Sequence, residues 1–241
     1  MGEPFSLWIY LATTPPLWLT LTVVIWVLAD WLAQLSGHNP LVNPVMIAIA
    51  AISAILLATG TSYDTYFTGA QFIHFLLGPT TVAIAIPLYK NWPLVRHKVL
   101  PLLAALIAGT ATSILSAIAV GAALGLPRDV LISLAPKSVT APVAMSLAEQ
   151  LGGIPALTAV LVVITGVLGA VIVTPLMNAM GVRDYAARGF AAGLSAHGIG
   201  TARAFVVDPV AGTFAGIAMG LSAILSSLVI PVIVRLLFPT A

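Results

Sequence analysis

The sequence predicts an all-α polytopic membrane protein with inverted repeats and broken or re-entrant helices, in the manner of secondary transporters. Three observations predict this class. The composition is 60 % hydrophobic and only 7 % charged, whereas a soluble domain carries about 25 % charged residues. Apolar runs of about 20 residues, the length that crosses a hydrocarbon core, recur along the chain. Three further segments are interrupted by proline or glycine beside polar residues.

The spanning runs are apolar on all sides, whereas the strands of a membrane barrel alternate apolar and polar residues. They lie at about 17–35, 43–60, 98–124, 154–178 and 210–237. A formal net charge of +2 is too small to imply nucleic acid as a partner, and the chain has no cysteine. Disulfides, thiol catalysis and cysteine metal sites are therefore excluded. We expect a single domain over residues 1–241, embedded in the lipid bilayer.

The three interrupted segments cover residues 66–90, 128–150 and 188–206. Proline removes a backbone donor and clashes with the preceding turn, and glycine weakens a helix. In lipid, a break leaves backbone groups unpaired unless protein or a water-filled cavity serves them. One break alone would be an ordinary kink, but three breaks beside polar residues favour a binding site. The residues expected at the breaks are Gly78, Pro79, Pro136, Pro142, Gly198 and Gly200.

An internal repeat links the first two interrupted segments. "LGPTTV" and "LAPKSV" align at an offset of 57 residues, and the same offset places Gly109 on Gly166 in the helices that follow. Each unit is thus a broken segment followed by a full span. The predicted arrangement is unit one at about 66–124, unit two at about 128–178, and flanking helices at 17–60 and 183–238.

Two topologies fit this repeat. If the broken segments cross the membrane, the units are parallel; if each is a re-entrant hairpin, the units are inverted. The hairpin model puts five cations on one face and leaves Arg128 on the other, which the positive-inside rule favours with the shared face cytoplasmic. Inverted repeats with broken helices are typical of secondary transporters. The five cations are Lys90, Arg96, Lys98, Arg183 and Arg188.

Lys137 is the strongest candidate for an anion-binding residue. An ionisable side chain at the membrane centre costs at least about 2.5 kcal/mol, so it faces a cavity or a partner. The break at Pro136 frees backbone N–H groups at the start of the next half-helix, where an anion is favoured. Ser138 and Thr140 add hydroxyl groups. Two other interpretations stay open, in which Lys137 reaches the membrane interface or pairs with Glu149.

The first repeat carries Thr80 where the second carries Lys137, and Thr81 where the second carries Ser138. One cationic tip and one neutral tip would hold a small monoanion through a salt bridge and hydroxyl hydrogen bonds, whereas a dianion would call for two cations. The two threonines are also compatible with simple capping of a half-helix.

The segment "SAHGIGTARA" is the third polar cluster. His197 and Arg203 lie six residues apart and would not share one face of a continuous helix. His197 suits a substrate ligand or a proton carrier, because the unperturbed pKa of histidine is near neutrality; the alternative is a packing residue. Arg203 either binds the anion or marks the cytoplasmic edge. No catalytic or metal-ligand constellation occurs, so we expect neither an enzyme nor a cofactor.

The motifs "FLLGPTTVAIAIPLYKNW", "LAPKSVTAPVAM" and "GLSAHGIGTARAF" together resemble the LrgB/CidB family, and the resemblance covers about residues 17–238. It extends to the LrgB-like half of the plastid glycolate/glycerate translocator. The chain departs from the family pattern at Thr80, where a smaller residue is expected, and at His74, where a neutral residue is commoner. Matched residue by residue, the resemblance implies that the functional positions of the family are Pro79, Thr80, Thr81, Pro136, Lys137, Ser138, Thr140, His197, Gly198, Gly200, Thr201 and Arg203 in this chain.

The resemblance implies two functions. One is transport of small monocarboxylates such as pyruvate, glycolate or lactate. The other is an antiholin-like or holin-related control of murein hydrolase export and cell lysis, without transport. The resemblance also implies a small LrgA/CidA-type membrane subunit as partner and a location in the bacterial inner membrane, and we expect a homo-oligomer. The repeat and Lys137 favour transport.

Overall fold

The computed structural model describes residues 15–37, 39, 42–76, 86, 89 and 92–238, and these residues form helices and connections without a β-strand. This confirms the predicted all-α, polytopic class. Four of the described helices are long and apolar enough to cross a membrane. The chain divides into two compact units, residues 1–83 and 84–241, and each is described by itself.

The first unit contains α1 (Pro15–Leu35), α2 (Pro44–Thr59) and α3 (Tyr63–Phe75). Helix α1 packs against both others. Its Trp18 is fully buried and meets the ring of Tyr66 edge-on at 5.8 Å. Asn43 caps α2, since its side-chain oxygen accepts hydrogen bonds from the backbone N–H groups of Val45 and Met46. With 16 residues, α2 is shorter than the apolar run predicted there.

The second unit contains three spanning helices and two broken segments. Its helices are α4 (Trp92–His97), α5 (Val99–Ala123), α6 (Arg128–Leu134), α7 (Ala141–Leu151), α8 (Pro155–Ala179), α9 (Tyr185–Val207) and α10 (Pro209–Leu237). Helices α5, α8 and α10 coincide with the predicted spans.

Helices α6 and α7 form a hairpin, here called the Lys137 hairpin (residues 128–151). Its chain enters beside the C-terminal end of α5, where Gly121 contacts Leu131. It leaves at the same end, because the backbone N–H of Ile154, just before α8, donates to the Ser133 hydroxyl at 2.7 Å. The tip, residues 135–140, reaches Ser113, about 15 Å back along α5 at 1.5 Å per residue.

Helix α9 is a second hairpin, here called the His197 hairpin (residues 185–207). Its backbone leaves helical geometry at Ala196 and His197, where His197 has φ 41° and ψ −130°. A Cβ added at Gly200 would lie 2.5 Å from the carbonyl oxygen of Ala192. Residues eight apart in a straight helix are about 12 Å apart, so the chain must double back at this point.

The two hairpins enter from opposite ends of the spanning helices. Lys98, at the start of α5, forms an ion pair with Asp184, which caps the His197 hairpin. At the other end, Arg128 at the start of the Lys137 hairpin donates to the carbonyl of Phe238, just after α10. We call these the Lys98 end and the Arg128 end. Residues 128–150 therefore fold back on themselves as a hairpin, and the re-entry of this hairpin into a membrane stays a prediction.

Candidate functional site

The tip of the Lys137 hairpin carries its polar residues on non-helical backbone. Pro136 is buried, and the backbone N–H of Lys137 donates to the Leu134 carbonyl at 3.2 Å. The ammonium of Lys137 donates to the Ser138 hydroxyl at 3.3 Å. Thr140 adopts the extended backbone of a helix N-cap, although its side chain makes no capping bond. The tip thus gathers an ammonium and hydroxyls at the N-terminus of α7.

Lys137 is half-buried and lines a groove between α5 and α6 whose other walls are mainly aliphatic, including Val120, Leu124 and Leu134. Among the residues that the structure describes, the one ion pair is between Lys98 and Asp184. The alternative in which Lys137 pairs with Glu149 is therefore not found. An ammonium that has no counter-charge among the described residues favours an anion as its partner.

Two hydroxyl groups of α5 lie in the same region as the tip of the Lys137 hairpin, and neither was predicted from the sequence as part of the site. Ser113 and Ser138 share a hydrogen bond of 2.8 Å. Thr110 lies one turn before Ser113 on the same face, and its side chain is 3 % exposed. The Thr110 hydroxyl has no hydrogen-bond partner among the described residues. Thr201 and Thr213, by contrast, donate to the carbonyl four residues earlier.

The tip of the His197 hairpin is held by close contacts at the middle of two spanning helices. His197 is 5 % exposed and donates from Nε2 to the Val162 carbonyl of α8 at 2.9 Å. A Cβ at Gly166 would lie 2.6 Å from the imidazole Cε1, so glycine leaves the space that the ring occupies. Leu194, just before the tip, contacts Gly109 of α5.

Helix α8 connects the two tips. The side chain of Val162 belongs to a buried apolar cluster with Val139 and Ala144 of the Lys137 hairpin, while its carbonyl accepts from His197. On α5, Gly109 and Ser113 contact the two hairpins one turn apart. Both tips therefore lie at mid-length of α5 and α8, where a transport site of a secondary transporter is expected.

The predicted substrate-binding residues that the structure describes fall into three groups. Lys137, Ser138 and Thr140 lie at one tip, and His197 and Thr201 at the other, joined by a hydrogen bond of 2.8 Å from the Thr201 hydroxyl to the His197 carbonyl. Arg203 instead lines a cleft with Arg188 nearer the Lys98 end. The predicted residues Gly78, Pro79, Thr80 and Thr81 lie outside the described part of the chain.

The ion pair at the Lys98 end ties α5 to the His197 hairpin. Lys98 Nζ lies 2.6 Å from Asp184 Oδ2, and Asp184 Oδ1 accepts from the backbone N–H groups of Ala186 and Ala187. The hydrogen bond from Lys98 is the main cause that lowers the pKa of Asp184, with smaller help from these two backbone donors. Because both partners are substantially exposed, solvent screening limits the pair to well under about 1 kcal/mol.

We expect Asp184→Ala to lower stability by about 1 kcal/mol through loss of the cap, and Asp184→Asn to cost less because its amide oxygen still caps. The folded-state pKa is below the ordinary 3.8, so the charge contribution is complete above about pH 4 and disappears as the pH falls through the lowered value. Thermal unfolding of purified protein at pH 7 and pH 3.5 measures both effects. A wild-type advantage over Asp184→Asn that grows on acidification would contradict this reading.

A family model described as the LrgB-like family matches residues 22–236. The chain is 33 % identical over 222 residues to the holin-like protein CidB of Staphylococcus aureus strain N315, covering 92 % of this chain and 96 % of the relative. It is 32 % identical over 222 residues to the uncharacterized protein YxaC of Bacillus subtilis strain 168, covering 90 % and 96 %. No solved structure matches.

Proposed function

Because the chain belongs to the LrgB-like family, as its motifs predicted, we propose that it transports small monocarboxylates such as pyruvate, glycolate or lactate. We place it in the bacterial inner membrane, with a small LrgA-like subunit as partner. One observation carries the proposal. The ammonium of Lys137, without an ion-pair partner in the described residues, lies at a hairpin tip that shares α8 with a second tip from the opposite end.

In this proposal Lys137 attracts the carboxylate, and the hydroxyls of Ser138 and Thr140 donate to its oxygens. Charge-assisted hydrogen bonds of this kind are about twice as strong as neutral ones. The Lys137 tip offers one cation, which suits a single negative charge. Thr80 and Thr81 of the first repeat remain predicted ligands for the same anion.

Alternating exposure would come from the two hairpins. Each enters the membrane from a different end, and both contact α8 within one turn, at Val162 and Gly166. A substrate held at one tip can therefore bias the position of the other. His197 then closes the site from the Lys98 end or carries a coupled proton, and Thr201 supports its backbone.

The experiment is uptake of radiolabelled pyruvate, glycolate and lactate into liposomes that contain purified protein, with and without an LrgA-like subunit. We expect saturable uptake above that of empty liposomes. Uptake equal to that of empty liposomes for all three acids, in both preparations, would overturn the proposal.

A holin-related role without transport is the second candidate, because the relatives from Staphylococcus are named holin-like. Such a role needs an assembly that permeabilises or regulates the envelope. It does not need a selective anion site. Leakage of a neutral dye from the same liposomes, unaffected by competing carboxylate, would favour this candidate.

Thr110→Val tests whether the buried hydroxyl of α5 serves the substrate. Valine has nearly the same shape, and an unsatisfied buried hydroxyl costs about 1–3 kcal/mol. We therefore expect the variant to unfold at a higher temperature and to take up carboxylate with a KM raised roughly tenfold. The matched control is Thr158→Val, where the hydroxyl is bonded to the carbonyls of Ser133 and Ile154; it should lose stability. Unchanged uptake by Thr110→Val would remove Thr110 from the site.

A further inference from the structure

The groove beside Lys137 is polar at one end and apolar along the rest of its length. Its volume is about 420 Å³, which lies in the range of small-molecule sites. Ser116 and Lys137 are the polar residues among those described that line it. The ammonium lies at the inner end, because it donates to the Ser138 hydroxyl. That hydroxyl shares a hydrogen bond with Ser113, which lies less than one turn before Ser116 on α5. The remaining described lining residues are Ala117, Val120, Gly121, Leu124, Leu126 and Leu134.

The floor of the groove is closed by leucine side chains that converge on Gly121 of α5. A Cβ added at this glycine would lie 2.6 Å from Leu131 Cδ2, 3.3 Å from Leu134 Cδ1 and 3.4 Å from Leu126 Cδ1. Glycine therefore allows these leucines to pack directly against α5. A ligand in the groove would meet a continuous aliphatic surface outward from the ammonium.

The apolar part of the groove is too long for the smallest monocarboxylates to fill. From Ser116 to Leu124 it follows α5 for about 12 Å, at 1.5 Å per residue, towards the Arg128 end. Pyruvate and lactate end in one methyl group and glycolate has none, so each would occupy only the inner end. A longer aliphatic tail would remove more apolar surface from water, and this contribution grows with each buried methylene.

We propose that the site at Lys137 selects monocarboxylates with an aliphatic tail of several carbons, such as butyrate and hexanoate. The carboxylate binds the ammonium and the tail lies along the groove. This inference rests on the proposed function for its place in transport, and it narrows the substrate class of the same site. Ala117 and Val120 then determine the accepted chain length, because they line the path of the tail.

The position of the ammonium favours a free acid over a membrane phospholipid as the occupant. Ser113, which marks the inner end, lies about 15 Å of helix from the Arg128 end of α5. The charged headgroup of a phospholipid belongs at the bilayer surface and would have to leave it to reach this depth. A single-chain acid can place its one charge at the ammonium and keep its whole tail in the groove.

The test is isothermal titration calorimetry of purified full-length protein in detergent with acetate, butyrate and hexanoate. We expect the Kd to fall about twofold to fourfold for each added methylene that the groove covers. Hexanol carries the same tail without a carboxylate and should bind roughly tenfold or more weakly than hexanoate. Hexanoate should bind the Lys137→Met variant with a similar loss. Titration into protein-free micelles measures the partitioning of each ligand into detergent.

Two variants narrow the groove and so test the chain-length preference directly. Ala117→Leu and Val120→Phe add carbon atoms along the path of the tail, and each should weaken hexanoate roughly tenfold while leaving acetate unchanged. Val120 is 60 % exposed, so its replacement does not overpack the interior and keeps the test valid if Ala117→Leu fails to fold. The matched control is Ala119→Leu, an exposed position of α5 outside the groove, which should bind both acids as the wild type does.

The outcomes separate this inference from the proposed function. Pyruvate uptake by wild-type protein whose Kd is the same for acetate and hexanoate overturns the inference and leaves transport intact; the groove then belongs to a lipid tail or to another helix. A preference for hexanoate that the groove variants and Ala119→Leu change equally also overturns it. A preference that the two groove variants alone remove supports it, even if no acid is taken up and transport fails. Protein that neither binds nor takes up any of the acids fails both.

Discussion

Lys137→Met is expected to lower carboxylate uptake strongly while leaving the protein folded. A hydrogen bond to a charged group contributes about 1.5–3 kcal/mol, so uptake efficiency should fall by roughly one to two orders of magnitude. Methionine fits the aliphatic walls of the groove, and the variant no longer holds a half-buried ammonium that has no counter-charge among the described residues. The midpoint of thermal unfolding should therefore stay constant or rise.

The control for Lys137→Met is Arg235→Gln, which removes an exposed cation from the last turn of α10. It should keep wild-type uptake, and Lys137→Arg should keep part of it because the charge is retained. If Lys137→Met transports as well as wild type, the ammonium does not bind substrate. If Lys137→Met loses uptake and also no longer unfolds cooperatively, the loss of uptake reflects misfolding. The uptake of Lys137→Arg then decides whether the charge itself is needed.

The class of fold and the positions of the spanning helices were accessible from the sequence, because length and apolarity of a run set whether it crosses a bilayer. The direction of each broken segment was not. Proline and glycine show that a helix ends, but a hairpin and a kink differ only in the contacts made afterwards. In the second interrupted segment that contact is from Ile154 back to Ser133. In the third it is from Gly200 back to Ala192.

The candidate site was only partly predictable for a similar reason. Lys137 stands out because a cation is costly in an apolar segment. Ser113 looks like an ordinary helix residue until the Lys137 hairpin packs beside it, and Thr110 looks like one until its hydroxyl is found buried. The break in the His197 hairpin lies at Ala196 and His197, before the glycines that suggested it. Gly200 is needed for the close approach of the two arms, and not for an unusual backbone angle.

Gly193→Ala is expected to disrupt the His197 hairpin although it changes no polar residue. A Cβ at this position would lie 2.6 Å from the Ala215 carbonyl carbon in the backbone of α10. Small residues allow helices to approach this closely in membranes, and a backbone atom has no rotamer into which it can move. Overpacking of this kind typically costs about 1–3 kcal/mol. The hairpin should shift away from α10, so that thermal stability and uptake both decrease.

The comparison that makes this specific is Gly220→Ala, on α10 itself, where an added Cβ meets no other heavy atom within 4 Å. Alanine favours a helix over glycine by up to about 1 kcal/mol, so this variant should unfold at the same temperature or higher and keep its uptake. Thermal unfolding and liposome uptake of both variants, side by side, measure the contrast. Equal behaviour would mean that contact between the first arm and α10 does not fix the tip. Loss confined to Gly193→Ala would instead show that the close contact between the first arm and α10 controls the position of His197.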